Sequence, residues 1–374
     1  MSIQNVGTDL QKLVRSKKTP IGLYRFATRL QLLLPHLQAA GEGFRETDLE
    51  VPAEKFFRSR TSGGKKARDI LFHLEALTRI YKKTHDDDED VFVELNGAFK
   101  ELEDGLGRID YFDEFKAVTG KMEGVPPKVV GYFVGGYHVE LQNLTKRLRD
   151  SGWLVAEKDG LGAPKLKRIL KLLQNVDWKK QRKDREAVLD FFVETLDKVI
   201  DKSGRGTSGK GLDFDNLEHG VHEFRRTVRW MNIYPQALGG LCRLVNDGAD
   251  ELDPTLSEYQ TSKILGSSFN DYPSDDMEEH PLKVDASLMY AFSAVIDAIG
   301  GIKDDGQLAE ALELALIRTG EADHANVHAR VQAMTVGRVP LSDIPTQVME
   351  IVDRFVDVNR VPWRLSEWFT KQRK

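Results

Sequence analysis

The chain has 374 residues, of which 40% are hydrophobic and 30% charged, with a formal net charge of −5. That length exceeds one ordinary helical core and sets an expectation of two domains or two coupled halves. The apolar content excludes disorder as the default state, and the net negative charge argues against a general nucleic-acid binder.

The N-terminal residues Met1 to Lys18 alternate polar and apolar types without a continuous hydrophobic stretch, unlike a secretory signal. Helical periodicity then dominates, and strand alternation is scarce. Helices are predicted over Ile21–Leu37, Lys66–Lys83, Val91–Leu106, Lys128–Arg149 and Leu166–Leu173. Further ones follow over Arg185–Asp201, Asn216–Tyr234, Val284–Ile299, Gln307–Ile317 and Pro345–Val358. Helix is expected to exceed about 60% of residues, well above the usual share. Glycine- or proline-bearing punctuation separates the segments, including Pro126-Pro127, Gly160–Pro164, Gly204–Gly211 and Gly300-Gly301. Nowhere do 18 apolar residues run together, so no membrane span is expected. With one cysteine, Cys242, no internal disulfide can form. Its apolar surroundings predict a buried small hydrophobe in a reducing, cytoplasmic protein.

The two halves share an order of features. A basic helix at Lys65–Leu74 precedes an acidic run, Asp86–Asp90, and a helix ending in Leu106-Gly107. In the second half His222–Arg229 precedes Asp275–Glu279 and a helix ending in Ile299-Gly300. A proline-started helix and a tryptophan follow in each, Pro127 with Trp153 and Pro345 with Trp368. The expected architecture is all-α: two antiparallel helical bundles related by internal duplication, over 1–158 and 159–374.

Charge is segregated. Lys165–Arg185 holds nine Lys/Arg against two acids, whereas Asp271–Asp323 holds thirteen acids against three bases. Such separation supports a local anion site on an acidic protein. The candidate is His222, Arg225, Arg226 and Arg229, which fall within an arc of about 100° on one helix face. Val221, Phe224, Val228 and Met231 occupy the opposite side. Four neighbouring cationic groups repel one another, and a polyanion would reward their assembly. The other reading is a solvated face paired with acids of the Asp275–Glu279 run. The first-half counterpart, Lys65 and Arg68 with Arg79 and Lys83, is interrupted by Asp69, Phe72 and Glu75, and reads as a degenerate copy or an ordinary solvated face.

Other chemistry finds little footing. Gly204–Gly211 approaches a nucleotide P-loop, but Gly211 stands where Ser or Thr must follow Lys210, and a helix rather than a strand precedes it. A flexible basic loop is expected there. The acidic runs lack the spaced ligands of a calcium loop, and His324 with His328 lack a metalloprotease glutamate, so neither a metal nor a cofactor is expected. No GxSxG, no Ser/His/Asp arrangement and no supported carboxylate pair stands out, so no enzymatic activity is expected.

Val221-His222-x-x-Arg225-x-x-x-Arg229, with the Leu106-Gly107-x-x-Asp110 and Ile299-Gly300…Asp304 helix endings, resembles the signature of the conserved-histidine α-helical domain (CHAD) family. The resemblance covers roughly Thr19 to the C-terminus. It implies two four-helix bundles and binding of inorganic polyphosphate by a basic groove between them, with His222, Arg225 and Arg229 as the motif contacts; on this reading Arg226 joins them and Lys65 and Arg68 lengthen the track. The chain departs at Lys65, where a histidine belongs, at Phe72, where an arginine belongs, and in its acidic balance. The alternative is a helical scaffold or adaptor whose basic face meets an acidic protein partner. Neither reading involves a membrane or a specific nucleic acid.

Overall fold

The computed structural model describes residues 2–44, 46–157, 160–207, 209–246, 252–273 and 277–373. About 72% of the chain is helical, in fourteen α-helices among the described residues, with two small two-stranded sheets. The chain divides into two compact units, Met1–Lys180 and Gln181–Lys374.

The first unit holds α1 (Ile3–Arg15), α2 (Ile21–Gly43), α3 (Val51–Arg58), α4 (Ala67–Thr84), α5 (Glu89–Thr119), α6 (Pro127–Asp150) and α7 (Pro164–Asn175). A hairpin of β1 (Val155–Glu157) and β2 (Gly160–Gly162) lies between α6 and α7. Helix α2 packs on α1, α3 and α4, α4 on α5, and α5 on α6. Each contributes an apolar stripe, as α5 does with Phe92, Leu95, Phe99 and Leu102, all fully buried. The acidic run at residues 86–90 sits at the N-terminus of α5, where negative charge meets the positive end of the helix dipole. Asp88 there also accepts the Asp177 N–H at 3.2 Å.

This unit continues past residue 158 because the following segment is fastened to it. Arg168 on α7 grips Glu94 on α5 with bonds of 2.6 and 2.9 Å. The Trp178 ring fills the space above Gly22, where a Cβ would lie 2.2 Å from it, and meets Tyr81 edge-on at 5.1 Å. The division between units therefore falls after Lys180, not after residue 158, and the basic stretch 165–185 is shared between the two units.

The second unit holds α8 (Gln181–Lys202), α9 (Glu223–Ala237), α10 (Ser262–Leu265), α11 (Ala286–Arg318), α12 (Val327–Met334), α13 (Ile344–Asp353) and α14 (Val361–Lys371). A π-helical turn, Leu217–His222, leads into α9, and β3 (Cys242–Val245) pairs in parallel with β4 (Leu282–Asp285). Helix α8 packs on α9 and α14, α9 on α11, and α11 on α12 and α13. Cys242 is buried at the start of β3, as its apolar setting predicts.

Helix α11 corrects a boundary. The sequence places two helices either side of Gly300-Gly301, whereas one helix of 33 residues runs through both. Two glycines cost a helix about 2 kcal/mol relative to alanines, an amount that the burial of Phe292, Ile296, Ile299 and Leu312 offsets. Among the described residues α11 is the one helix whose length and hydropathy would suffice to cross a membrane. Its apolar window is 67% buried, as a core helix requires. The loop 204–211 follows α8, a helix, and Arg205 ties it to Asp353 and Asp357 near the end of α13. A P-loop is fed by a strand, and none leads directly into this loop.

Candidate functional site

The candidate face begins in the π turn before α9. Asn216 caps that turn by accepting the His219 N–H at 2.8 Å. Gly220 passes so near the Asp213 carbonyl that a Cβ would sit 1.8 Å from its oxygen, so glycine is required. The turn sets the phase of α9, whose Phe224, Val228 and Met231 go fully into the core. His222, Arg225, Arg226 and Arg229 fall on the opposite edge.

They are not equivalent. Arg225 is built into the seam between α9 and α11: its Nε donates to the Ile296 carbonyl at 3.1 Å, and its guanidinium lies against Gly300. A Cβ at residue 300 would approach that guanidinium to 3.1 Å. Burial pushes the Arg225 pKa down, and Asp304 and Asp297 oppose that shift. Arg226 is 54% exposed and pairs with Glu223 one turn back at 2.6 Å. Glu223 also takes Lys202, whose Nζ donates in addition to Thr227 Oγ1 at 2.9 Å. Burial disfavours the charge on Glu223, but the Lys202 bond and the surrounding cations outweigh it and hold its pKa below the ordinary carboxylate range. Arg229, one turn further, is half-buried.

His222 lies at the centre. Burial pushes its pKa down; Glu218 opposes this, while Lys303, Arg226 and Arg225 reinforce it. Its Nδ1 is buried with no hydrogen-bond partner. The imidazole thus stands among Arg225, Arg226 and Lys303, with Glu218 and the adjoining Glu223 as the opposing acids. Lys303, paired with Asp304 at 2.7 Å, was not among the predicted residues. Its signal was hidden because Gly300-Gly301 had been read as a helix end. Of the acidic run expected to pair with this face in the solvated reading, Asp275 and Asp276 lie outside the described residues.

The first unit repeats the seam but fills it. Arg68, at the start of α4, lies against Gly107 of α5, where a Cβ would sit 2.9 Å from its Nη2. Its fork is taken by Glu103 and Asp110, each at 2.8 Å, and its guanidinium lies 5.3 Å from the centre of the Phe72 ring. Relative to the glycine, Glu103 stands where Ile296 does in the second unit, four residues before it. Lys65 precedes α4 half-buried, its N–H bonded to Thr61 Oγ1 at 3.1 Å. Arg79 faces the buried Glu75 at 3.6 Å. Arg68 thus sits in a seam whose acids take its fork, whereas Arg225 donates to a backbone carbonyl and its neighbours Arg226 and Lys303 pair with Glu223 and Asp304. Among the described residues no group of three or more potential ligands is placed to hold a metal ion.

Comparison with protein-family models, with curated proteins and with solved structures finds no match to this chain. The family resemblance therefore rests on the residues named above.

Proposed function

We propose that the second unit binds a linear polyanion, with inorganic polyphosphate as the first candidate, along the exposed edge of α9. The observation that carries the reading is the gathering of Arg225, Arg226 and Lys303 around the half-buried imidazole of His222, three cations against the two acids, Glu218 and Glu223, that act on it. Ion pairs with Glu223 and Asp304 meet part of the repulsion among these cations, and a chain of phosphates would relieve the rest. Arg226 and His222 would make the charge-assisted bonds, Arg229 and Lys303 would extend the track, and Arg225 would hold α9 in place on α11. A linear ligand needs a surface track, not a cavity. The recurrence of Arg68 on Gly107 and Arg225 on Gly300 supports descent of the two units by duplication. In that reading the first unit has lost its share of the site, because Glu103 and Asp110 occupy Arg68. The alternative, an acidic protein partner, draws on the same face, since Arg226 already donates to the Glu223 carboxylate.

Titration with long-chain polyphosphate at two salt concentrations tests the reading. Wild type should bind, and bind more weakly at the higher salt, where releasing condensed counterions gains less entropy. Arg226→Glu/Lys303→Gln should lose about tenfold or more, since each lost charge-assisted bond is worth about 1.5–3 kcal/mol. Arg68→Gln should bind like wild type. Equal affinity of the double variant and wild type, both folded by circular dichroism, would remove this face from the mechanism. Retention of wild type by an acidic protein but not by polyphosphate would favour the alternative.

A further inference from the structure

The second unit carries a cleft of about 500 Å³, lined by residues other than those named for the His222 face, between α11, α12 and the loop 335–342. Its volume falls within the range of small-ligand sites. The walls are mainly apolar: Ala309 on α11, Val331 on α12, and Val336, Val339 and Leu341 from the loop. Val336 is 82% exposed and Leu341 40%, an apolar lip that folding leaves in water.

Two carboxylates of α11 line the cleft, and they are used differently. Both oxygens of Asp305 are committed to the loop, one to Arg338 Nη1 at 2.7 Å and one to the Val339 N–H at 3.2 Å. Gly337, in the left-handed region with φ of 85°, turns the chain so that both bonds form. Among the described residues the ion-pair partner of Glu313 is His328 at 3.4 Å, which is charged only when protonated. Negative charge is in excess along this edge: burial, with Glu218 and Glu313 adding to it, pushes the neighbouring Glu310 carboxyl up. An apolar cleft with one carboxylate held in place and lacking a permanent counter-charge is complementary to an organic cation.

We propose that this cleft binds a small amphipathic amine, its apolar body against Val331, Val336, Val339 and Leu341 and its ammonium on the carboxylate of Glu313. The cleft's size favours a free small molecule over a protein segment, and the site is independent of the polyanion reading, being built from other residues.

The probes are 4-phenylbutylamine, 4-phenylbutanol and 4-phenylbutyrate, which share an apolar body and differ in charge. Binding is followed at pH 8 by calorimetry and by the methyl resonances of Val331, Val336 and Val339 in the full-length protein. The amine should shift those methyls and bind about tenfold or more tightly than the alcohol, as a charge-assisted contact requires. The carboxylate should bind more weakly than either. Glu313→Gln should make amine and alcohol equal, and Val336→Ser should weaken both. Both replaced side chains are at least partly exposed, so the variants should fold. No methyl shift with the amine, no preference over the alcohol, or a preference that survives Glu313→Gln would each overturn the proposal.

Discussion

Replacing Arg225 by glutamate is expected to destabilise the second unit by about 3–5 kcal/mol, the usual result of leaving a buried charge without its counterpart. The new carboxylate would face the Ile296 carbonyl and the carboxylates of Asp297 and Asp304, three negative or partly negative groups that now favour the guanidinium. Arg226→Glu, one residue on, should change stability by about 1 kcal/mol or less, because that side chain is 54% exposed. Hydrogen exchange would read the difference as lost protection in α9 and α11. The glycines belong to the same prediction. Glycine to alanine inside a helix ordinarily stabilises by about 1 kcal/mol. At Gly107 and Gly300 that gain should vanish, since the added methyl would push the arginine off its seat. An Arg225→Glu protein within 1 kcal/mol of wild type would contradict the seam.

In the first unit, Glu75→Gln should raise stability at pH 8 by about 2–3 kcal/mol and change its pH dependence. Glu75 is 2% exposed, with one carboxylate oxygen buried and unpartnered. Burial, helped by Glu103 and Asp104 against Arg79 and Lys100, pushes its pKa up to about 7 from an ordinary 4.5. The folded protein therefore holds this proton longer than the unfolded chain. The contribution is fully present below about pH 4.5 and is lost as pH rises through about 7, at about 1.4 kcal/mol per pH unit. His36 runs the other way. Ser59 gives its hydroxyl to the Phe56 carbonyl at 2.9 Å, so His36 Nδ1–H donates to Ser59 Oγ at 2.5 Å and Nε2 is left buried without a partner. Burial, then Arg60, against Asp69, push its pKa down to about 4. Its contribution is present above 6.5 and is lost as pH falls towards 4. Between about 4.5 and 6.5 the two slopes oppose each other. Denaturant titrations across pH should be comparatively flat in that window for wild type and should rise with pH for Glu75→Gln. Parallel profiles for the two proteins would contradict the assignment.

Local signals made much of this fold legible. The 3.6-residue period located α2, α4, α6, α8 and α9 up to its last three residues, because each buries a continuous apolar stripe. Helix α1 was passed over, although Ile3, Val6 and Leu10 have the spacing of a buried face and Ser2 accepts the Asn5 N–H as a cap. The glycines misled in an instructive way. Gly107 and Gly300 looked like helix stops, yet both lie inside helices of 31 and 33 residues, because an arginine from a neighbouring helix needs the room. The basic face of α9 was readable from spacing alone. Which of its members were already engaged was not, because Arg225 finds Ile296 across 71 residues and Arg68 finds Glu103 across 35. Long-range pairing of that kind leaves no local trace. The division after Lys180 depended similarly on Trp178 finding Gly22.

The most direct test of the polyanion reading follows the imidazole of His222 itself. Its resonances, assigned by loss in His222→Ala, can be observed at pH 7 while long-chain polyphosphate is added. The cations around it now hold its pKa down together with burial. Phosphates placed among them would reverse that field, so His222 should move towards its protonated form, and by linkage polyphosphate should bind more tightly at pH 6 than at pH 8. A His222 signal that stays unchanged while the protein saturates with polyphosphate would place the ligand elsewhere and contradict the account.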